Sequence, residues 1–172
     1  MTLTLENIVV QFDHSVILEG VSFEVAPGEI VGLIGQNGCG KTTLLNTISG
    51  FVPQQAGSIV FQDEDITRWS PSQRARKGLG RSFQTPGVFR EMTVEENVMI
   101  ALENAEKYPW WWRFSKTHRH RSDRRIQDAL ESVGLEGHKH SLAGVLSGGQ
   151  LRLLELLRLE ISGGKLLLVD EP

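Results

Sequence analysis

The spacing of glycine, lysine and threonine in one short segment predicts a phosphate-binding loop. Residues 35–42 have the sequence GQNGCGKT, which fits the pattern G-x-x-x-x-G-K-[ST]. Glycines permit a turn whose backbone N–H groups converge on phosphate oxygens, and a helix that begins at Lys41 adds the positive end of its dipole. Lys41 is expected to reach the β- and γ-phosphates, and the Thr42 hydroxyl to be a Mg²⁺ ligand. The alternative is a glycine-rich turn beside a solvated lysine.

The expected nucleotide contacts of this loop come from nine consecutive residues. They are Gly35, Gln36, Asn37, Gly38, Cys39, Gly40, Lys41, Thr42 and Thr43. The position of the loop, between a predicted buried strand and a predicted helix, is the one that phosphate binding requires. We therefore expect a nucleotide site here.

Two carboxylates follow a short apolar run at residues 166–169. The end of this predicted strand would place Asp170 and Glu171 beside the phosphate loop. Asp170 is expected to hold the Mg²⁺ shell through water. Glu171 is expected to orient and deprotonate the attacking water. An acidic turn after a core strand is the alternative, and the phosphate loop argues against it.

A second segment, LSGGQ at residues 146–150, combines serine and glycine at a predicted helix start. A serine hydroxyl and two glycine N–H groups at that position form a second anion cradle. One nucleotide does not need two cradles from one subunit. We therefore expect Ser147 and Gly149 of one copy to meet the γ-phosphate held by Lys41 of another copy. An ordinary serine helix cap is the alternative.

The LSGGQ segment resembles the signature of ATP-binding-cassette (ABC) proteins, and the resemblance extends from about Leu3 to Pro172. It implies an α/β fold: a P-loop NTPase core with an N-terminal antiparallel β subdomain and an inserted helical subdomain. It also implies ATP hydrolysis, with ATP and Mg²⁺ as cofactors. In the head-to-tail dimer of such proteins, four residues would contact the nucleotide in trans: Ser147, Gly148, Gly149 and Gln150.

The resemblance assigns roles to two further residues. Gln84 matches the glutamine of the family's Q-loop, which touches Mg²⁺ or the attacking water. The expected metal ligands are thus Thr42, Gln84 and Asp170, and the expected catalytic residues include Lys41, Gln84 and Glu171. Phe12 matches the aromatic residue that stacks on adenine, although a phenylalanine in a strand is more often part of a core.

Residues 81–103 have the sequence RSFQTPGVFREMTVEENVMIALE. They resemble the ATPase subunits of importers for branched-chain and other hydrophobic amino acids. The ATPase subunits of urea importers are the next most similar group. This implies transmembrane permease partners and, indirectly, a substrate-binding protein outside the membrane. Two other classes stay open: a soluble ABC protein acting on ribosomes or DNA, and a non-catalytic nucleotide-binding remnant. Soluble relatives usually carry two cassettes or a long coiled coil, whereas Lys41 and Asp170 are only 129 residues apart here.

The elements that must position these residues follow from hydrophobic patterning. Residues 1–27 predict a small antiparallel sheet, and Glu29–Ile34 predicts a buried parallel strand. Strand character begins again at Gly57–Phe61. Thr42–Ser49 predicts a helix that Gly50 ends. The expected domain is incomplete: residues 1–83 and 163–172 form the core, and residues 84–162 form the Q-loop and helical subdomain.

Three helices are expected in that insertion. The first starts at a capping box of Thr93 and Glu96 and has an apolar stripe of Val94, Asn97, Val98, Ala101, Leu102 and Ala105. The second starts near Ser122, with Ile126, Ala129, Leu130 and Val133 inward and Gly134 as its stop. The third is Leu151–Ile161, and Lys165–Val169 is a short buried strand.

Composition restricts the remaining possibilities. Eighteen Lys and Arg against 21 Asp and Glu give a net charge of −3, so nucleic acid is not an expected partner of the whole molecule. No signal peptide or run of about 18 apolar residues is found, which favours a cytoplasmic location at the inner face of the membrane. The single cysteine, Cys39, fits a reducing compartment. Its thiol is expected to be tolerated in the loop without a catalytic part.

Residues 108–125 concentrate tryptophan and positive charge. A membrane surface, a transmembrane partner, RNA or a solvated hairpin closed by its tryptophans would each explain them. The sequence ends at Pro172, one residue after Glu171, whereas the family's fold continues with further strands and a histidine that senses the γ-phosphate. We therefore expect a fragment or a natural truncation with weak nucleotide turnover and a partly uncovered third helix.

Overall fold

The computed structural model describes residues 2–82, 87–105 and 116–170, with 116–122 described by their backbone alone. The chain forms two compact units, Met1–Leu79 and Gly80–Pro172. The described strands are β1 Leu3–Phe12, β2 Ser15–Val25, β3 Ala56–Phe61, β4 Glu64–Asp65, β5 Leu79–Arg81 and β6 Leu166–Leu168. The described α-helices are α1 Lys41–Ser49, α2 Pro71–Lys77, α3 Val94–Ala105, α4 Lys116–Ser132 and α5 Gly148–Ile161. Short 3-10 turns lie at Glu136–His138 and Ala143–Val145.

The first unit is built on an antiparallel sheet with strand order β2-β1-β3-β4. The predicted N-terminal antiparallel sheet is therefore confirmed. Its imperfect alternation has a local cause, because the register shifts between Leu5 and Ile8, where Asn7 has a φ of 50°. This irregularity keeps Leu5 and Ile8 both buried although they are three residues apart.

Helix α1 confirms the predicted helix after the glycine-rich loop and begins one residue earlier, at Lys41. Leu44, Leu45 and Ile48 are buried. Gly50 ends the helix with a φ of 84°, in the left-handed region that glycine adopts without a steric penalty. The local signals in the sequence were sufficient to place this helix.

The prediction of a strand at Glu29–Ile34 is wrong. These residues belong to neither sheet, and the side chains of Ile30 and Ile34 are 98% and 99% exposed. A strand needs neighbours that pair with its backbone N–H and C=O groups, and neither described sheet provides them for this segment. The apolar run is therefore a surface segment that leads into the glycine-rich loop.

The second unit has a helical core. The capping box at the start of α3 is confirmed: Glu96 Oε2 accepts the Thr93 N–H at 2.7 Å, and Thr93 Oγ1 accepts the Glu96 N–H at 3.2 Å. The predicted stripe of α3 is buried from Val94 to Leu102, but Ala105 is exposed at the last residue of the helix. The buried cluster contains Val94, Val98, Leu102, Ile126, Leu130, Leu135, Ala143, Leu146, Leu151, Leu154 and Leu157.

Helix α4 begins at Lys116 rather than near Ser122, so the charged stretch before Ser122 is helical as well. Its inward residues are as predicted: Ile126 and Leu130 are buried, and Ala129 and Val133 pack against the same cluster. Helix α5 begins at Gly148 rather than Leu151, directly after its cap Ser147. The predicted uncovered surface of α5 is small, since Leu153 is its one exposed large apolar side chain.

The predicted strand near the end of the sequence is β6, which pairs with β5 in a two-stranded sheet. Residues 163–172 cluster with the second unit. Across the described residues, no helix has both the length and the apolar character needed to cross a membrane. The tryptophans at 110–112 lie outside the described residues, so the interpretations of that segment stay predictions.

Candidate functional site: a glycine-rich loop and a serine-capped helix

The glycine-rich loop of the first unit forms a tight turn in front of α1. The Cys39 N–H donates to the Gln36 carbonyl at 3.2 Å, which closes the turn. Gly38 and Gly40 have φ values of 82° and 96°, a conformation that side chains with a Cβ rarely adopt. The loop therefore depends on glycine at these two positions.

Gly40 is also the residue at which the loop meets β2. A Cβ there would lie 2.9 Å from Leu18 Cδ2 and 3.2 Å from the Ile17 carbonyl oxygen. Gly35 is restricted in another way, because a Cβ would lie 2.6 Å from Cys39 Sγ. The inside of the turn is thus narrow, and Cys39 already occupies part of it with an exposed thiol.

The ammonium group of Lys41 folds back over the loop. It donates to the carbonyl oxygens of Gly35 at 2.7 Å and Gln36 at 2.9 Å, and it lies 3.9 Å from Cys39 Sγ. Thr42 is exposed and Thr43 half-buried in the first turn of α1. A cation, hydroxyl groups and the N-terminal N–H groups of a helix therefore lie together, which is the donor set that a polyphosphate needs.

Helix α1 is anchored at its opposite end by a buried arginine. Arg74 is 2% exposed, and its Nη1 donates to the Thr47 and Ile48 carbonyl oxygens at 2.7 Å each. The same guanidinium donates to the carbonyls of Thr67 at 3.0 Å and Trp69 at 3.1 Å. A positive charge at the C-terminal end of a helix complements its dipole. The guanidinium therefore stabilises the helix whose other end carries Lys41.

The serine-glycine segment caps α5 in the second unit. Gln150 Oε1 accepts from the Ser147 N–H at 2.9 Å and from Ser147 Oγ at 3.0 Å, and Ser147 Oγ accepts the Gln150 N–H. Ser147, Gly148 and Gly149 are exposed. A Cβ at either glycine would meet nothing within 4 Å. Neither packing inside the chain nor a positive φ therefore requires glycine at these two positions.

Gln150 has one contact that the sequence did not indicate. Its Nε2 lies 3.1 Å from Nε2 of His138. His138 is the last residue of the 3-10 turn Glu136–His138. The Gln150 Oε1 atom accepts from Ser147, so its Nε2 atom faces the histidine ring. Ser147 and His138 therefore contact opposite ends of the same amide group.

Asp170 lies at the end of the segment after β6 and is 6% exposed. Its carboxylate forms an ion pair with Arg81, Nη2 to Oδ2, at 3.5 Å, and its N–H donates to Ser82 Oγ at 3.3 Å. Burial lowers the pKa of the Arg81 guanidinium, and the charge of Asp170 opposes that shift. Arg152 donates to the Asp170 carbonyl oxygen at 2.6 Å.

Sequence reasoning missed Arg81, Arg152 and Glu155. One signal in the sequence could have indicated these residues: Glu155 is a charged residue on the otherwise leucine-rich inner face of α5. In the structure, Glu155 is 4% exposed. Two predicted site residues, Gln84 and Glu171, lie outside the described residues. Phe12 is the last residue of β1 and is 47% exposed, so it is not a core residue.

The predicted site residues are divided between the two units. The loop residues 35–43 and Phe12 belong to the first, and residues 147–150 and Asp170 belong to the second. Within the described part of the chain, no group of three or more His, Cys, Asp or Glu residues could hold a metal. The Thr42 hydroxyl of the first unit and the Asp170 carboxylate of the second unit are each of the ligand type that suits Mg²⁺.

Comparisons with known proteins identify the family of this chain. Residues 18–172 match the family model described as ABC transporter. The probable branched-chain amino acid transport ATP-binding protein LivG of Methanocaldococcus jannaschii is 38% identical over 99% of this chain and 67% of its own length. The lipopolysaccharide export system ATP-binding protein LptB of Escherichia coli K12 is 36% identical, with the same two coverages.

A solved structure is similar over nearly the whole chain. The crystal structure of a nucleotide-free ATP-binding cassette from an ABC transporter aligns with a TM-score of 0.78 at 37% identity. The alignment covers 99% of this chain and 69% of that one. The chain therefore spans about two thirds of the length of these relatives.

Proposed function

The chain belongs to the ABC transporter family, whose ATPase domains hydrolyse ATP, and we propose that it is the motor subunit of a membrane importer for branched-chain or other hydrophobic amino acids. The observation that carries the ATPase part is the turn at residues 35–40 with Lys41 folded over it at the start of α1. The amino acid part rests on similarity to LivG.

The residues have distinct roles in this proposal. Lys41 and the N–H groups of the loop bind the phosphates, and Phe12 stacks on the adenine with its exposed ring. Thr42, Gln84 and Asp170 would hold Mg²⁺, which supplies charge neutralisation at the phosphate oxygens. Glu171 accepts the proton of the attacking water.

The serine-capped start of α5 is proposed to act on the nucleotide of a second subunit. Ser147, Gly148 and Gly149 are exposed, and both glycines present bare backbone where a Cβ would have open space. Such a surface permits close approach of phosphate oxygens from another molecule. A head-to-tail pair would therefore be closed by ATP and opened after hydrolysis. Permease subunits in the membrane and an external substrate-binding protein would complete the importer.

The test is carried out in the source organism. Deletion of the gene is expected to abolish uptake of radiolabelled leucine, with the wild-type gene restoring it and the Glu171→Gln variant failing to do so. The purified complex is expected to contain a multi-span membrane protein and to lose ATP hydrolysis in the same variant. Unchanged leucine uptake after deletion would contradict the substrate class.

Lipopolysaccharide export is a second candidate, because LptB is nearly as similar as LivG. It predicts that deletion leaves leucine uptake intact and reduces lipopolysaccharide at the cell surface. ATP hydrolysis that depends on Glu171 is common to both candidates, so the two cellular measurements distinguish them.

A further inference from the structure

Two side chains of α5 bind both polar groups of the Gly87 backbone. Glu155 Oε1 accepts the Gly87 N–H at 3.0 Å, and the Arg158 guanidinium donates to the Gly87 carbonyl oxygen. Arg158 also lies over the Phe89 ring, 4.8 Å from its centroid. Since Gly87 follows Gln84 by three residues, α5 fixes the backbone on the C-terminal side of that glutamine.

Helix α3 holds the same segment. Asn97 is completely buried, and its Oδ1 accepts the Phe89 N–H at 3.0 Å while its Nδ2 donates to the Phe89 carbonyl at 2.9 Å. Both peptide groups of Phe89 are therefore bound by one side chain. The chain after Gln84 is fixed at two successive points by buried polar groups.

The backbone on the N-terminal side of Gln84 is fixed to Asp170. The Ser82 N–H donates to the Leu168 carbonyl at 2.9 Å, and Ser82 Oγ accepts the Asp170 N–H at 3.3 Å. Arg81 pairs with the Asp170 carboxylate at 3.5 Å. Ser82, two residues before Gln84, is thus bound to Asp170, and Gly87, three residues after it, is bound to α5.

Arg152 joins these two attachments. Its Nη1 donates to Glu155 Oε2 at 2.7 Å, and its Nη2 donates to the Asp170 carbonyl oxygen at 2.6 Å. That carbonyl belongs to Asp170, the residue that directly precedes Glu171 in the sequence. The Arg152 guanidinium therefore connects the Glu155 carboxylate, which accepts the Gly87 N–H, to the Asp170 carbonyl oxygen.

The planar guanidinium is suited to this connection. Its donors form a rigid fork that can bind two acceptors at once, whereas a lysine ammonium is a point charge on a flexible stem. Glu155 is 4% exposed, and a buried carboxylate is retained only when partners compensate its charge. The Gly87 N–H, Arg152 and Arg158 surround it.

We propose that Arg152 and Glu155 are positioning residues for ATP hydrolysis, which act through one hydrogen-bonded relay on the helix that Ser147 caps. The relay ends at two described residues that are close in sequence to the expected catalytic pair: Gly87, three residues after Gln84, and Asp170, directly before Glu171. The relay comprises Gly87, Glu155, Arg152 and the Asp170 carbonyl. This inference rests on the proposed ATPase function. It adds that helix α5, which Ser147 caps, is hydrogen-bonded both to Gly87 and to Asp170.

The experiment compares Glu155→Gln with Glu160→Gln, the same substitution at an exposed position of the same helix. The two carboxylate oxygens of Glu155 accept separately from Gly87 and Arg152. In the amide that replaces it, one of these two positions is an NH2 group, which donates and therefore cannot accept from its present partner. In the full-length protein with its membrane partners, we expect kcat to fall about tenfold or more, since small misplacements of reacting groups have effects of that size. The KM and the Kd for ATP are expected to stay within about twofold, because neither Arg152 nor Glu155 is among the residues proposed to contact the phosphates. Arg152→Lys, which keeps the charge, is expected to give the same pattern.

Each outcome is decisive. If wild type and Glu160→Gln hydrolyse ATP and Glu155→Gln equals them in kcat, the relay is overturned while the ATPase function stands. If Glu155→Gln and Arg152→Lys both lose ATP binding or the native melting transition, the relay serves folding alone and the proposal is also overturned. A wild-type protein without hydrolysis would instead overturn the proposed function.

Discussion

The ammonium group of Lys41 donates to the carbonyl oxygen of Gly35 at 2.7 Å, across the whole glycine-rich turn. The contact holds a positive charge at the turn that directly precedes α1. A side chain that reached into solvent would add little to an anion site, because exposed charges interact weakly in water. The folded-back position of Lys41 is therefore the structural basis for expecting phosphate binding at this turn.

Replacing Lys41 by glutamine is expected to weaken ATP binding without unfolding the protein. A hydrogen bond to a charged group contributes about 1.5–3 kcal/mol, so the Kd for ATP should rise by about 10- to 100-fold. Fluorescence titration with an ATP analogue measures this. The control is Lys77→Gln, since Lys77 pairs with Glu64 at the end of α2. Equal affinity in the Lys41 variant and wild type would remove the phosphate site.

Replacing Arg74 by alanine is expected to destabilise the first unit and α1 in particular. Four backbone carbonyls lose a charged donor in a buried site, which should reduce the free energy of unfolding by about 3 kcal/mol or more. Urea unfolding measures the change. Arg76→Ala is the matched control on the same helix, where an exposed arginine should change stability by about 0.5 kcal/mol or less. A loss of equal size in both variants would show that the carbonyl contacts do not matter.

The parts of the fold that the sequence predicted are those governed by local signals. The capping box at Thr93 and Glu96 depends on residues three apart, and the end of α1 depends on the conformational freedom of Gly50. Both were confirmed. The glycine-rich turn belongs to the same group, because its positive φ values at Gly38 and Gly40 need no distant partner.

The parts that failed depend on partners far away in the chain. An apolar run such as Glu29–Ile34 indicates a strand only if other strands pair with it, and no pattern within the run reports that. Glu155 was missed for a related reason. Its partners Gly87 and Arg152 become visible only when α5 packs on the segment after Gln84. Tertiary hydrogen bonding, rather than periodicity, decides such positions.

The capping box of α3 predicts a pH dependence of stability. Hydrogen bonds from the Thr93 N–H and then from its hydroxyl lower the pKa of Glu96 below its ordinary 4.5. Because the folded-state pKa is the lower one, the stabilisation is complete above the ordinary value and is lost as pH falls through the folded value. Urea unfolding between pH 6 and 3 should therefore show a smaller acid loss of stability in Glu96→Gln than in wild type.

A matched control separates the cap from general acid effects. Glu160→Gln removes an exposed carboxylate of α5 that takes no part in this capping box. Its acid loss of stability should match that of wild type. If Glu96→Gln also matches wild type at every pH, the hydrogen bonds from Thr93 do not contribute to stability.

Cys39 offers a direct measure of nucleotide occupancy in the loop. Its thiol is exposed, lies within the narrow turn beside Lys41, and is the chain's single cysteine, so one label reports one position. N-ethylmaleimide is expected to block ATP binding by bulk, and Mg-ATP at ten times its Kd should slow labelling roughly tenfold by mass action. Mass spectrometry follows the modification, with Cys39→Ser expected to bind ATP and resist the reagent. Equal labelling rates with and without Mg-ATP would mean that the nucleotide does not occupy this turn.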